Sequence, residues 1–256
     1  MISPLASIDP NAKIGANVQI GPFVTIEGDV EIGDNCIIDA SATICRFTKL
    51  GKNCHVFPSA VIGAVPQDLK FHGEQTWAII GDNNVLREFV TVHRGTASKG
   101  QTVIGNNNLI MAYCHVVHDC ILHNNIIMSN ATQLAGEVEV DDFAIIGGGT
   151  LVHQFSRIGG HCMVQGGSRI NKDVPPYAIV AREPIAFCGI NSVGLNRRGF
   201  TPDQIHTIQE VYRIIYNSGL NTTQALGNIE NNLPDTPERN AIVDFVRRSA
   251  KGIVRA

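Results

Sequence analysis

The stretch from Ile8 to Ile38 reads IDPNAKIGANVQIGPFVTIEGDVEIGDNCII, with isoleucine at every sixth position. The same frame continues to Ile170, and 25 of its 28 positions are aliphatic. A short fixed period is the signature of a repeat architecture, so one small structural unit is stacked many times. The three positions that break the frame are Asp68, Glu74 and Ser98.

Three repeat units close into a triangular coil, with one unit on each side and one aliphatic per side pointing inward. Stacked coils place parallel strands about 4.8 Å apart. Glycine often follows the aliphatic, as at Gly15, Gly33 and Gly51. We expect glycine there because the corners need backbone angles that other residues disfavour.

The seven cysteines include no C-x-x-C pair, which argues against a disulfide framework and a zinc knuckle. Five of them lie two residues before an aliphatic, in the small inward position of the coil, where we expect them to act as small apolar side chains. These five are Cys36, Cys54, Cys114, Cys120 and Cys162.

The composition limits the class of protein. The chain has 256 residues, is 44% hydrophobic and 17% charged, and carries a net charge of −3. These values are typical of a globular protein and argue against a general nucleic-acid-binding surface. No apolar run approaches the ~18 residues of a membrane span. The first residues have no signal-peptide pattern, so we expect a cytoplasmic protein.

The repeat is interrupted twice and then ends. The stretches 64–77 and 94–102 lose the aliphatic pattern and are predicted to be loops, which in a regular solenoid are often functional. Residues 1–190 form the predicted β-helix, with a net charge of −5. Residues 191–256, with a net charge of +2, form a predicted small helical domain. Its helices are expected at about 201–217, 222–233 and 236–250.

The densest polar cluster in the repeat is His115-Val116-Val117-His118-Asp119. Equivalent positions on successive coils are three repeat units apart, so His118, Gly136 and Gln154 line one strip. A histidine can take a hydroxyl proton as general base. A glycine leaves its backbone N–H open to a developing oxyanion. The strip therefore favours acyl transfer to a hydroxyl, with Asp119 orienting His118 if a corner brings them together.

Two other functions remain open on the same fold. A zinc carbonic anhydrase would use three histidines, and His93, His115 and His118 are candidates, although their spacing does not match that family. A coenzyme A-dependent acetyltransferase is the second alternative. Neither accounts for the loops, the tail and the histidines together.

The hexapeptide pattern resembles that of acyltransferases built on a left-handed parallel β-helix, and the left hand is implied by this resemblance. A more specific resemblance covers essentially the whole chain, to the UDP-N-acetylglucosamine acyltransferase family. It rests on these segments: Gln67-Asp68-Leu69-Lys70, Val92-His93-Arg94-Gly95-Thr96, His115 to Cys120, Ala135-Gly136, Val140 to Gly148, Val152-His153-Gln154-Phe155, Asp173 to Tyr177 and Arg197-Arg198-Gly199-Phe200.

The resemblance implies transfer of an (R)-3-hydroxyacyl chain from acyl carrier protein to the 3-hydroxyl of UDP-N-acetylglucosamine, the first step of lipid A biosynthesis. It implies a homotrimer, a basic helical tail that receives the carrier protein, and neither cofactor nor metal. His118 matches the catalytic base, Asp119 its partner and Gly136 the oxyanion donor. Positions that match substrate contacts are Asp68, Lys70, His115, His153 and Gln154 for the sugar and pyrophosphate, and Asn191, Arg197 and Arg198 for the nucleotide.

Three positions distinguish this sequence within that family. Glu137 stands where a histidine is common, and Val193 stands where a glutamate can contact the ribose. Both changes affect individual substrate contacts rather than the reaction. Gly166 matches a position that limits acyl length, and glycine there predicts an open groove and a long acyl chain.

Overall fold

The computed structural model describes residues 1–256, and residues 1–190 form three sheets, parallel except for the last strand, that are the faces of a left-handed β-helix. Sheet I contains β1 (Ser7–Ile8), β4 (Thr25–Ile26), β7 (Thr43–Ile44), β10 (Val61–Ala64), β13 (Thr91–His93), β16 (His115–Val116), β19 (Gln133–Leu134), β22 (Leu151–Val152) and β25 (Arg169–Ile170).

The other two faces are built in the same way, and the predicted fold class is confirmed. Sheet II contains β2 (Lys13–Ile14), β5 (Glu31–Ile32), β8 (Thr48–Leu50), β11 (Trp77–Ile80), β14 (Gln101–Ile104), β17 (Ile121–Leu122), β20 (Glu139–Val140) and β23 (Arg157–Ile158). Sheet III contains β3 (Gln19–Ile20), β6 (Ile37–Ile38), β9 (His55–Val56), β12 (Val85–Leu86), β15 (Leu109–Ile110), β18 (Ile127–Met128), β21 (Ile145–Ile146), β24 (Met163–Val164), β26 (Ala178–Ala181) and β27 (Ala186–Ile190).

The three sheets enclose a triangular prism, and the aliphatic frame forms one continuous core inside it. Ile8 pairs with Ile26, and Val116 pairs with Leu134, in each case the equivalent residue of the next coil. The aliphatic residues of the frame are buried from Ile20 to Ile170. The five cysteines predicted to point inward are at most 1% exposed, which confirms that they serve as core side chains.

The reason predicted for the corner glycines is wrong. The left-handed backbone conformation falls two residues later, for example at Asn35 (φ 59°) rather than at Gly33. Glycine is required at position 33 because a Cβ there would lie 2.7 Å from the carbonyl carbon of Gly51 on the next coil. Close approach of successive coils therefore selects glycine at this place.

A ladder of asparagines measures the two loop insertions. Asn35 donates to Asn53 over 18 residues, the regular coil length. Asn53 donates to Asn83 over 30 residues, and Asn83 donates to Asn107 over 24. The coil after Asn53 is therefore longer than a regular coil by two repeat units, and the coil after Asn83 by one. Both insertions fall at the predicted breaks.

Both loops leave the prism at the same edge. The first connects β10 of sheet I to β11 of sheet II, and the second connects β13 to β14 of the same two sheets. We call this edge, where the chain passes from sheet I to sheet II, the I–II edge. The II–III and III–I edges are named in the same way.

The helical tail has four helices: α1 (Ser192–Arg197), α2 (Pro202–Asn217), α3 (Thr222–Asn232) and α4 (Pro237–Arg247). The predicted starts of α2 and α4 are confirmed, since Thr201 and Thr236 cap them. The short helix α1 was not predicted, and α4 ends at Arg247, three residues before the expected end near Ala250.

The chain passes from the prism into the helical tail and returns to the prism at its end. Strand β27 turns back antiparallel to β26, so the last strand does not continue the coil. The end of the chain returns to the prism, where Ile253 pairs with Asp173 and Val254 is buried in the prism core. Tyr177 in turn packs among the helices. None of the helices has the length and apolar content needed to span a bilayer.

Candidate active site

His118 and Asp119 form a bonded pair at the I–II edge. Asp119 has φ 62°, and this left-handed corner brings its side chain alongside that of its neighbour. His118 Nδ1 lies 2.8 Å from Asp119 Oδ2. These adjacent side chains need a corner to come together, and the structure has one. A proton on Nδ1 donated to the carboxylate leaves Nε2 with a lone pair, as a general base needs.

Asp119 is completely buried and receives further donors from the second loop. The Thr96 backbone N–H donates to Oδ1 (3.0 Å) and the Thr96 hydroxyl donates to Oδ2 (2.6 Å). The Lys99 backbone N–H also donates to Oδ1 (3.2 Å). Sequence reasoning missed Thr96 and Lys99, although they lie within the second break in the repeat, which was the available signal.

Gly136 lies one coil along from His118, directly against its ring. A Cβ at this position would lie 2.7 Å from His118 Cε1 and 3.0 Å from Nε2. The backbone N–H of Gly136 makes no hydrogen bond within the chain. At the II–III edge the equivalent N–H groups of Ala16 and Lys52 donate to aspartates of the next coil. Gly136 thus keeps a free donor beside the Nε2 edge of His118.

The first loop places Asp68 near the same nitrogen of the histidine. Asp68 Oδ2 lies 3.8 Å from His118 Nε2. Its other oxygen accepts the backbone N–H of Lys70 (2.9 Å), and the Lys70 side chain is exposed. Arg94 is buried between the rings of Phe47 and Phe71, and so joins the second loop to the first. The loops therefore converge on His118.

His93 and His115 lie next to this pair. Their rings meet edge to face at 4.7 Å, and His115 Nδ1 contacts the Thr91 hydroxyl at 2.6 Å. Burial, followed by the neighbouring His115, lowers the pKa of His93 to about 4. Burial also lowers the pKa of His115. Both rings are therefore neutral near pH 7.

The three histidines considered for zinc do not converge. The one group of three side chains whose ligand atoms lie within 4.8 Å of each other is His123, Glu139 and Asp141. There Glu139 is already paired with Arg157 (3.2 Å) and with His123 (3.4 Å). Within this chain, His93, His115 and His118 therefore do not form a three-ligand site.

His153 and Gln154 lie one coil beyond Gly136 at the same edge. The ammonium of Lys251, from the end of the tail, contacts His153 Nδ1 (3.0 Å) and donates to the Gln154 carbonyl (2.7 Å). Sequence reasoning missed Lys251, which is 97 residues from Gln154 along the chain. Lys251 thereby joins the helical tail to His153 and Gln154, at the end of the strip.

The predicted nucleotide contacts lie at a different edge. Asn191 caps α1 and donates to the carbonyl of His161, and the Arg198 guanidinium stacks on Phe143 and donates to its carbonyl. Arg197 and Val193 are exposed on α1. Phe143 and His161 belong to the II–III edge, so a single chain does not bring these residues to His118.

Gly166 lies at the third edge, between β24 of sheet III and β25 of sheet I. A Cβ on Gly166 would lie 3.0 Å from the carbonyl oxygen of Gly148 on the preceding coil. A side chain there would be crowded by the Gly148 backbone, so this close approach favours glycine at position 166. The predicted contacts are thus spread over all three edges of the prism.

Protonation of buried histidines is expected to limit stability in acid. Burial, and then Arg198, lowers the pKa of His161 to about 4, as burial does for His93. The unfolded chain takes up these protons below about pH 6.5, while the folded chain resists until about pH 4. We therefore expect the free energy of unfolding to fall as pH drops from about 6.5 to 4, by up to about 3 kcal/mol per histidine.

Urea unfolding at pH 7.5 and 4.5 measures this loss. His161→Phe should reduce the loss, because phenylalanine can keep the stacking on Phe143 and Tyr177 without binding a proton. The control, His206→Gln, changes an exposed histidine of α2 and should leave the loss unchanged. An equal loss in wild type and His161→Phe would contradict the explanation.

Comparison with known proteins places the chain in a family. The model of "Udp N-acetylglucosamine O-acyltransferase; Domain 2" matches residues 173–254, and the bacterial transferase hexapeptide model matches residues 11–46. The acyl-[acyl-carrier-protein]–UDP-N-acetylglucosamine O-acyltransferase of Pseudomonas paraeruginosa is 46% identical, over 100% of this chain and 99% of that protein.

Solved structures agree over the full length. The UDP-N-acetylglucosamine acyltransferase from Bacteroides fragilis is 56% identical, with a TM-score of 0.99 and 100% of both chains covered. The enzyme from Francisella novicida is 40% identical with a TM-score of 0.97, covering 100% of this chain and 94% of that one. The chain therefore belongs to the acyl-[acyl-carrier-protein]–UDP-N-acetylglucosamine O-acyltransferase family.

Proposed function

We propose that this chain transfers an (R)-3-hydroxyacyl group from acyl carrier protein to the 3-hydroxyl of UDP-N-acetylglucosamine, the first step of lipid A biosynthesis. The observation that carries the proposal is the His118–Asp119 pair with the unpaired Gly136 N–H against its ring. This arrangement supplies a base and an oxyanion donor at one point. Family membership supports the choice of substrates.

The reaction follows from these two groups. His118 Nε2 takes the proton of the sugar hydroxyl, and the oxygen attacks the thioester carbonyl. The tetrahedral oxyanion accepts a hydrogen bond from the Gly136 N–H. Collapse of the intermediate forms the ester, breaks the C–S bond and expels the carrier thiolate, which takes the proton back from His118. Asp119 holds the imidazole orientation and stabilises its cationic form.

The proposed substrate contacts extend from this point. Asp68 lies in the first loop at the I–II edge, and His115 lies beside it. Both would contact the sugar. Lys70 would also contact the sugar, and its ammonium is free to reach the pyrophosphate. His153 and Gln154 extend the same strip. Asn191, Arg197 and Arg198 would contact the nucleotide, where guanidinium groups suit phosphate oxygens.

A homotrimer would join contacts that one chain keeps apart. His118 lies at the I–II edge, Arg198 packs beside the II–III edge with Arg197 next to it in the chain, and Gly166 lies at the III–I edge. In a closed three-fold assembly, an edge of one prism can face a different edge of its neighbour. We propose that each site is completed in this way. The carrier protein would dock on the basic helical tail.

Mixing two inactive variants tests the shared site. His118→Ala and the double variant Arg197→Ala, Arg198→Ala are each expected to lose transfer as pure proteins. Unfolded and refolded together in equal amounts, they should recover activity at about a quarter of the sites. Size-exclusion chromatography with light scattering checks the trimer. Trimers that form but recover no activity would place both groups on one chain.

The proposed reaction is tested directly with carrier-bound donors. Purified protein, treated with a chelator, is incubated with 3-hydroxyacyl carrier proteins and UDP-N-acetylglucosamine, and the ester product is followed by mass spectrometry. Transfer that survives chelation supports the proposal. Transfer from acyl coenzyme A alone, or hydration of CO₂ that chelation abolishes, would favour one of the two alternatives.

The open position at Gly166 is expected to give a preference for long donors. A series from 10 to 16 carbons, compared by kcat/KM, should peak at the long end because Gly166 and Gly148 place no side chain at the III–I edge. Gly166→Met should move the peak to shorter chains, since each buried methylene that is excluded costs about 0.8 kcal/mol. A wild-type preference for 10 carbons would contradict this interpretation.

A further inference from the structure

Residues Thr96 to Lys99, which we call the strap, cross the I–II edge over Asp119. Together with His118, the strap supplies four donors to one buried carboxylate. A carboxylate is an acceptor with about four lone-pair directions, so this set of donors leaves it little rotational freedom. On the other side, the Asp119 backbone N–H donates to the Thr102 hydroxyl at 2.8 Å.

The strap is itself held from the next coil by Glu137. The Ser98 hydroxyl donates to Glu137 Oε1 (3.2 Å), and the Lys99 ammonium lies 3.9 Å from Oε2. The same ammonium donates to the Asp119 carbonyl (3.3 Å). Asp119 and Glu137 occupy equivalent left-handed corners, with φ 62° and 59°. Lys99 therefore bridges two successive coils at the site.

This contact gives Glu137 a structural role that the sequence analysis, which associated it with a substrate contact, did not predict. Glu137 is partly buried, with 19% of its side chain exposed, and its oxygens face the strap. An alanine at this position would leave Ser98 and Lys99 without their partner. The strap, which belongs to the second insertion, would then depend on Asp119 alone for its position at the edge.

We propose that Thr96 and Lys99 are positioning residues for the His118–Asp119 pair, and that Glu137 is the anchor that keeps the strap in place. Thr96 acts on the reaction through Asp119, and Glu137 acts through Ser98 and Lys99. None of the three exchanges a proton with substrate. The kinetic test of this inference rests on the proposed function. The effect of Thr96 on the His118–Asp119 pair can also be measured without turnover.

The main variant is Thr96→Val, which keeps the shape and the backbone donor and removes the hydroxyl that lies 2.6 Å from Oδ2. We expect kcat to fall about 10- to 100-fold, because a small misplacement of a catalytic group has costs of this order. KM for both substrates should change less than about 3-fold, since substrate contacts remain. Thr96→Ser restores the hydroxyl and should restore most of kcat.

The pH profile separates positioning from a loss of structure. Removing one donor leaves more of the Asp119 charge facing the imidazole, which favours its protonated form. The acidic limb of the kcat/KM profile should therefore move to higher pH in Thr96→Val and return in Thr96→Ser. Thr25→Val, the same change in β4 far from the site, should alter neither kcat nor the profile.

Two further variants change residues outside the core, so they should not affect folding. Ser98→Ala and Glu137→Gln each weaken one part of the anchor, and kcat should fall about 2- to 10-fold by the same reasoning. The loss of kcat should be largest for Thr96→Val, smaller for Glu137→Gln and smallest for Ser98→Ala. Wild-type kcat in all three variants would overturn the proposal.

A readout without turnover uses the proton between His118 Nδ1 and Asp119. Its ¹H resonance, assigned with His118→Gln in ¹⁵N-histidine-labelled protein, should shift in Thr96→Val and return in Thr96→Ser. An unchanged resonance, together with a wild-type pH profile, would overturn the positioning role. Failure of the proposed function looks different, because wild type would then show the resonance and no transfer from any carrier-bound donor.

Discussion

Replacing His118 with alanine is expected to lower kcat for acyl transfer by about 10²- to 10⁴-fold, the usual contribution of a general base. His118 Nε2 lies on the part of the ring that would be 3.0 Å from a Cβ at Gly136, while Nδ1 is hydrogen-bonded to Asp119. Without it, the sugar hydroxyl must lose its proton to water. KM should change less, because the sugar and nucleotide contacts come from other residues.

The control for this experiment is His55→Ala, which removes another part-buried histidine paired with an aspartate, Asp39 at 2.8 Å. His55 lies in β9 of sheet III, away from the loops. Its loss should leave kcat unchanged. A His118→Ala variant with the wild-type unfolding temperature and at least a tenth of the wild-type kcat would rule out His118 as the base.

Gly136→Ala is expected to cost about 10²-fold or more in kcat, although it adds a single methyl group. The new Cβ would lie 2.7 Å from His118 Cε1, a separation that real side chains do not tolerate, so the imidazole must move. A displacement of about 1 Å at a catalytic group can cost 10²-fold. The methyl group would also crowd the approach to the N–H that receives the oxyanion.

Gly227→Ala is the matched control for this substitution. Gly227 lies within α3, and a Cβ there meets no other atom within 4 Å. The change should leave kcat unaltered and raise the free energy of unfolding by about 0.5–1 kcal/mol, because alanine is the better helix former. Gly136→Ala with full kcat would mean that the ring can move without penalty and that the proposed geometry is wrong.

The two loops show how the repeat builds a site. The corners of the regular coils carry single left-handed residues, such as Asn35 and Phe23, and no loop. Insertions of two repeat units and of one at the I–II edge bring Asp68 to His118 and Thr96 to Asp119 from two levels of the prism. Because each insertion is a whole number of repeat units, the aliphatic frame resumes after it, and the core continues without interruption.

The sequence alone was sufficient for the architecture, because the code for a β-helix is periodic and local. Every sixth side chain points inward whatever the rest of the chain does, so Ile8 to Ile170 predicted the coils, the buried cysteines and the positions of the loops. The strip of His118, Gly136 and Gln154 followed from the same arithmetic. The resemblance added the family, which full-length comparisons confirmed.

Only the tertiary structure decided which groups meet between coils and across the chain. Periodicity does not say where a loop side chain turns, so the Thr96 donors to Asp119 and the tether at Glu137 were not predicted. The Lys251 contact joins residues 97 apart and follows from how the tail packs. The corner glycines had the wrong explanation because close approach between coils depends on three-dimensional spacing, which one segment of sequence does not contain.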